Sequence, residues 1–332
     1  MESYILTADI GGTKTLLQLS SQQDEVVLEK EYVSQQFASF DLVLSDFLGQ
    51  KQIQDHPVNS ACFAVAGPVN GRDAYVTNLP WALNADALQE EFELQHVHLC
   101  NDFAAVGYGI SCLSDDEIVT LQQGKPVDDA PRAVIGAGTG LGQALLLPEA
   151  DGWRVVATEG GHTDFAPTNR LQILLLEHLM ERFGQVSYER VVSGVGLVSI
   201  YEFLRAYQQY DESPALRQAM IAGDPAAAIS QFSIDGADSL ASQTLDLFIE
   251  IYGAQAGNLA LGIIPRGGMY LAGGIAAKNL SHFQTGLFIN AFNAKGKMKA
   301  LVEDIPVRLI LQPKVGLLGA RLLAQRLIVQ SN

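Results

Sequence analysis

Tyr4-Ile5-Leu6-Thr7-Ala8-Asp9-Ile10-Gly11-Gly12-Thr13 is an apolar run that ends abruptly at an acid and two glycines. The run reads as a buried strand and the glycines as a tight turn. Lys14 to Ser20 resumes as a second strand, Gln22 to Asp24 turn, and Glu25 to Val33 form a third. The chain therefore opens with an antiparallel meander. The same order returns downstream. Ala133-Val134-Ile135 leads into Gly136-Ala137-Gly138-Thr139-Gly140-Leu141-Gly142, then Gln143 to Leu147, a turn at Glu149 to Gly152, and Trp153 to Thr158. A repeat at this separation implies a duplicated domain rather than a solenoid, whose periods are ~20–50 residues.

Between and beyond the two meanders the pattern alternates strand and helix. A helix is expected from Ser39 to Gly49, with strands from Ser60 to Ala66 and from His96 to Cys100. From Leu171 the register is helical, with Leu171, Leu174, Leu175, Leu179 and Met180 expected on one buried face and Gly184 as the C-terminal cap. Leu245 to Leu261 reads as a buried helix, Met269 to Ala272 and Val307 to Leu311 as strands, and Val315 to about Val329 as a terminal helix. No low-complexity linker interrupts the chain, so the two halves are expected to meet across a cleft.

Hydrophobic residues make up 48% of the 332 residues and charged residues 17%, a composition that folds rather than remaining disordered. Lys and Arg number 21 against 37 Asp and Glu, for a net charge of −16. So acidic a surface repels nucleic-acid phosphates and anionic membranes, and neither is an expected partner. An anionic substrate would need local devices, such as backbone amides or a bound cation. No apolar stretch reaches the ~20 residues of a membrane helix, and Met1-Glu2-Ser3-Tyr4 lacks the basic start of a signal peptide. Cys62, Cys100 and Cys112 are too few and too scattered for a disulfide framework or a zinc site. A reduced, cytoplasmic setting is expected, with no resident metal centre.

The glycine turns are the first chemical candidates. Gly11 and Gly12 let successive amides approach a phosphate that side chains would crowd out; Thr13 adds a hydroxyl, and Asp9 can orient magnesium through its water shell. A plain hairpin with an acidic end is the competing reading. Gly138-Thr139-Gly140-Leu141-Gly142 repeats the device without the Gly-Lys-Ser/Thr of a Walker loop. One turn per half can pinch a triphosphate between domains. Asn101-Asp102 ends a strand, where a carboxylate can take a proton from a substrate hydroxyl or simply cap a helix. Glu159-Gly160-Gly161-His162 sets an acid and a histidine on a sharp turn, the mixed acceptor and donor set that carbohydrate hydroxyls need. Glu189 reads equally well as a first-turn helix acid.

The chain resembles bacterial glucokinases of the hexokinase-like, actin-fold superfamily. The resemblance rests on Asp9 to Thr13, Ala66-Gly67-Pro68-Val69, Thr77-Asn78 with Trp81, Asn101-Asp102-Phe103, Gly136 to Gly142, Glu159 to Pro167, Glu189-Arg190-Val191 with Ser193-Gly194, Gly257 to Ala260, Ala272 to Ile275, and Gly316 to Ala320. It implies an α/β fold of two actin-like, ribonuclease H-like domains: residues 1–112, completed by about 313–332, and residues 113–312. It also implies transfer of a phosphoryl group from ATP, with Mg2+, to the 6-hydroxyl of glucose. Asp102 is then the general base, and Asn101, Glu159, His162 and Glu189 hold the other sugar hydroxyls. ATP is held by Ala8, Asp9, Ile10, Gly11, Gly12 and Thr13 and by Gly138, Thr139 and Gly140, with cleft closure excluding water. A homodimer is expected. Lys14 stands where many such glucokinases have Asn, and in this it resembles instead the related repressor-kinase family, whose clustered cysteines this chain lacks. A kinase for fructose or mannose, and a sugar sensor without turnover, are the rival readings. Cys100, next to Asn101 and Asp102, is either a redox-sensitive thiol or a packed core residue.

Overall fold

The computed structural model describes residues 4–208, 212–234 and 236–330. The chain forms two compact units, Met1–Ser114 with Gln312–Asn332, and Asp115–Leu311. In the first, β1 (Tyr4–Ile10), β2 (Lys14–Ser21), β3 (Val26–Val33) and β4 (Val58–Val65) are followed by β5 (Val69–Asn70), β6 (Asp73–Tyr75), β7 (Ala82–Asn84) and β8 (His96–Asn101). The main sheet runs β3-β2-β1-β4-β8, while β5, β6 and β7 make a small sheet of their own. β1 is antiparallel to β2 and parallel to β4, and β4 is parallel to β8. Ile5, Leu6, Ala8 and Ile10 are all fully buried, because a central strand covered on both faces must be apolar throughout. β3 carries Glu29, Lys30 and Glu31 because it is the edge.

Each face of this sheet is covered. Phe40, Val43, Leu44 and Phe47 of helix Phe40–Leu48 pack with Phe63 and Trp81 on one side. On the other side helices Asp102–Gly109 and Val315–Gln330 enclose Ile5, Cys62, Ala64, Cys100, Ala105, Ala320 and Ala324. These helices touch backbone to backbone: any Cβ at Gly319 would overlap the Ala105 carbonyl oxygen. Gly319 thus serves close helix packing, and the Ser60 hydroxyl clamps the terminal helix by donating to the Ala324 carbonyl at 2.9 Å.

The second unit repeats the plan. Its strands are β9 (Ile118–Gln122), β10 (Arg132–Ala137), β11 (Leu141–Glu149), β12 (Gly152–Thr158), β13 (Gly268–Ala272) and β14 (Val307–Ile310), in the order β12-β11-β10-β13-β14-β9. β10 is antiparallel to β11 and parallel to β13, β13 is parallel to β14, and β9 closes the edge antiparallel to β14. Helix Ser239–Ile263 supplies the bulk of the core, where the Tyr252 hydroxyl donates to the Ile135 carbonyl at 3.1 Å. Helix Arg170–Phe183 departs from expectation: Leu175 and Leu179 are fully buried and Gln172 nearly so, but Met180 is 52% exposed. Adjacent helical positions are ~100° apart, so a face centred on Gln172, Leu175 and Leu179 leaves Met180 outside. The Gln172 amide oxygen accepts from the Thr168 backbone and hydroxyl at 2.9 and 3.0 Å, while its amide nitrogen is buried without a partner among the described residues. Among the described residues no helix is long and apolar enough to cross a membrane.

Candidate active site

In the first unit, the turn after β1 is a tight hairpin closed by the Gly11 amide donating to the Lys14 carbonyl at 2.9 Å. The amides of Gly12 and Thr13 have no partner among the described residues, so they remain available to an anion. Ser34, just beyond β3, braces the turn: its amide donates to the Thr13 carbonyl at 3.0 Å and its hydroxyl to the Gly11 carbonyl at 2.8 Å. No local pattern in the sequence marks Ser34, because its partners lie a full hairpin away. Ala8 and Ile10 are core residues and offer the turn only their backbone. Lys14 points away, paired with Glu31 at 2.8 Å on the exposed face.

Asp9 is next to last in β1, and its carboxylate has no hydrogen-bond or ion-pair partner among the described residues. Burial pushes its carboxyl up from 3.8 to about 6. A half-buried carboxylate without a partner among the described residues suits a hydrated cation held through water, whose charge would offset the lost solvation. The raised value has a consequence for stability. Whatever stability the protonated form contributes is fully present below pH 3.8 and is lost as the pH rises through about 6. In metal-free protein, Asp9→Asn is expected to unfold at higher denaturant concentration than the parent at pH 8, by on the order of 2 kcal/mol, and with little difference at pH 4. Urea titrations at both pH values read this directly. A gap that does not change with pH would mean that charge burial is not its cause.

Asn101 and Asp102 join β8 to helix Asp102–Gly109. Asn101 is the N-cap, its side-chain oxygen accepting from the Phe103 and Ala104 amides at 2.9 and 3.2 Å. Its amide nitrogen donates to the Gly67 carbonyl at 3.2 Å, tying the helix start to the turn after β4. Asp102 lies in the first helical turn, at the positive end of the helix dipole, with its own Phe103 amide donating to Oδ1 at 2.9 Å. Cys100 is 7% exposed, with its sulfur 3.8 Å from that of Cys62 beneath the two helices. The packed core reading therefore describes this thiol, and burial pushes the neighbouring Cys62 thiol well up.

In the second unit Glu159, His162 and Glu189 come together. His162 Nε2 lies 3.9 Å from a Glu159 oxygen and Nδ1 lies 4.0 Å from Glu189 Oε1. The Glu159-Gly160-Gly161-His162 turn lies flat on β11, with no room for a Cβ at Gly161 beside the Leu141 carbonyl. Glu189 is anchored to the glycine turn itself: its Oε2 accepts from the Leu141 amide at 2.9 Å. A Cβ on Gly140 would sit 2.5 Å from that oxygen, so glycine is required for the carboxylate to approach. The Gly138 carbonyl accepts from the Gly194 amide at 2.8 Å, and the Ser193 hydroxyl donates to the Glu189 carbonyl at 2.7 Å. The amides of Thr139 and Gly140 have no partner among the described residues. A supporting chain behind the site went unread in the sequence: Lys295 donates to Asn258 Oδ1 at 2.8 Å, and Asn258 donates to the Tyr188 hydroxyl at 3.0 Å. The Gly257-Asn258 motif pointed there, but its partners are far away in the chain.

A sequence model described as glucokinase matches residues 6–327. The glucokinase of Trichormus variabilis is 46% identical over 342 residues, spanning 98% of this chain and 100% of that protein. The glucokinase of Synechocystis sp. is 42% identical over 347 residues, spanning 96% and 97%. Among solved structures, a glucokinase from an Antarctic psychrotroph superposes with TM-score 0.80 at 30% identity, covering 97% of this chain and 99% of that one. The glucokinase of Balamuthia mandrillaris in complex with glucose superposes with TM-score 0.83 at 25% identity, covering 98% and 94%. The duplicated sheet, with the same order around β1 and β10, is the actin-like ATPase plan. With a family model matching residues 6–327 and identities of 42–46% along essentially whole chains, the chain belongs to the glucokinase family.

Proposed function

We infer that the chain transfers the γ-phosphoryl group of ATP to the 6-hydroxyl of D-glucose, giving glucose 6-phosphate and ADP, the first step of glycolysis. The observation that carries this reading is the end-to-end match to glucokinases. The grouping of Glu159, His162 and Glu189 on the second glycine turn supports it.

Phosphoryl transfer has a loose transition state, so the protein chiefly positions groups and stabilises charge. Asp102 orients the 6-hydroxyl and takes its proton. Glu159, His162 and Glu189, with the Asn101 amide, hold the remaining hydroxyls, giving acceptors and donors in the alternation that vicinal hydroxyls require. The amides of Gly12 and Thr13 and of Thr139 and Gly140, which have no partner among the described residues, hold the triphosphate. Asp9 is the residue that would hold Mg2+ through water, and the cation's chemistry when bound is to neutralise the phosphates. A homodimer in a cytoplasmic setting completes the reading.

A coupled assay of ADP release with glucose, fructose and mannose tests it. Glucose is expected to give the highest kcat/KM. Highest turnover with another hexose would make the chain that sugar's kinase, and glucose binding without ADP release would make it a sensor. Within this reading, Glu159→Ala removes one sugar contact and leaves its partners unpaired, a cost of ~1–3 kcal/mol. The KM for glucose is expected to rise about 10- to 100-fold with the KM for ATP nearly unchanged. A rise in the ATP value alone would move this turn to the nucleotide.

A further inference from the structure

At the end of β10 remote from its glycine turn, the second unit contains a cavity of about 380 Å³. Arg132, Arg308 and Tyr270 line it together with Thr120, Asp115 and Asp128. Arg132 is the first residue of β10 and the Gly138 turn follows the last, so this cavity is separate from the candidate active site. Tyr270 is buried, and Arg132 and Arg308 are half-buried. Neither arginine forms an ion pair among the described residues, although the chain carries a net charge of −16. Arg132 stacks its guanidinium 4.2 Å from the Trp153 ring centre, and its buried Nε has no hydrogen-bond partner among the described residues. Arg308 Nη1 donates to the Tyr270 hydroxyl at 3.0 Å and to the Gly267 carbonyl at 3.3 Å, which tethers the guanidinium at the cavity wall and leaves its other N–H groups without a partner among the described residues.

Stacked and tethered in this way, two guanidinium groups form a preorganised receptor for a phosphate or carboxylate. The two aspartates restrict what else the ligand can carry. A polyanion would be repelled by them, and a neutral sugar would leave the arginines without a counter-charge. We propose that the cavity binds a small phosphomonoester of a sugar or polyol, the phosphate on Arg132 and Arg308 and the hydroxyls on Asp115 and Asp128. Its volume falls in the range of small-molecule sites.

Calorimetric titration with glucose 6-phosphate tests the proposal. The parent enzyme is expected to show an arginine-dependent equivalent in addition to binding at the active site. Arg132→Gln and Arg308→Gln should each weaken that equivalent by about tenfold or more, while kcat for glucose stays at the parent value. Should Arg308→Gln fold poorly, Asp128→Asn on the exposed rim should weaken glucose 6-phosphate but leave inorganic phosphate unaffected. Identical isotherms for the parent and the Arg132 and Asp128 variants would overturn the site. Inorganic phosphate binding there as tightly as glucose 6-phosphate would overturn the sugar or polyol part. Failure of the kinase reading would instead remove activity and the arginine-independent equivalent, leaving this one in place.

Discussion

Asp102→Asn is expected to lower kcat by ~10²–10⁴, the usual loss for a general base, while the fold and glucose binding survive. The structure explains why the two effects separate. The helix that begins at Asp102 is capped by Asn101, whose oxygen accepts from the Phe103 and Ala104 amides, and that cap is untouched. The Phe103 amide also donates to Asp102 Oδ1 at 2.9 Å, a bond that an asparagine oxygen reproduces. What asparagine cannot do is accept the proton of the 6-hydroxyl. Single-turnover kinetics, calorimetric glucose binding and a thermal melt on the same preparation read the three quantities. Turnover near the parent level would reduce Asp102 to a member of the helix cap.

Glu189→Ala is expected to raise the KM for glucose by about 10²-fold and to cost ~1–3 kcal/mol of stability. The first effect follows from its proposed role toward the sugar, the second from the Leu141 amide, which loses its acceptor. Glu189→Gln separates them. Its amide oxygen still accepts from Leu141, so stability should return, while the charge that sugar and His162 face does not. Gly140→Ala approaches the same carboxylate from the other side, since its Cβ would lie 2.5 Å from Glu189 Oε2. Because Gly140 is also assigned to the triphosphate, this variant should raise the KM for both substrates, unlike Glu189→Ala. Glucose affinity unchanged in Glu189→Ala would leave the carboxylate only its structural bond to Leu141.

Elements with a strong local period were legible. The meanders at 4–33 and 133–158 were visible because their strands alternate or run apolar between polar turns, and each turn carries its own glycines. β9 was not visible, since its five residues are half-buried or exposed and show no clean alternation. It exists because β14 offers it an open edge. The same distinction explains Met180, which belongs to an apolar stripe in the chain but not to the face that neighbouring helices cover.

By itself the sequence determined what depends on neighbours along the chain: the duplicated strand pattern, a helix start at Asn101-Asp102 whose cap the structure assigns to Asn101, the sharp turn at Gly160 and Gly161, and the residue types suited to a sugar. Tertiary structure decided what depends on distant partners. Glu189 and Leu141 are 48 residues apart, and only folding brings the carboxylate onto an amide and beside His162. Ser34 reaches Gly11 across 23 residues, and Gly319 is glycine because a helix from the first half of the chain passes against it. Arg132 and Arg308 come from strands far apart in the chain, and their shared cavity forms only where β9, β13 and β14 assemble beside β10. Local pattern follows backbone periodicity, which short segments carry on their own, whereas the meeting of charges, amides and close-packed backbones is set by burial of the whole core.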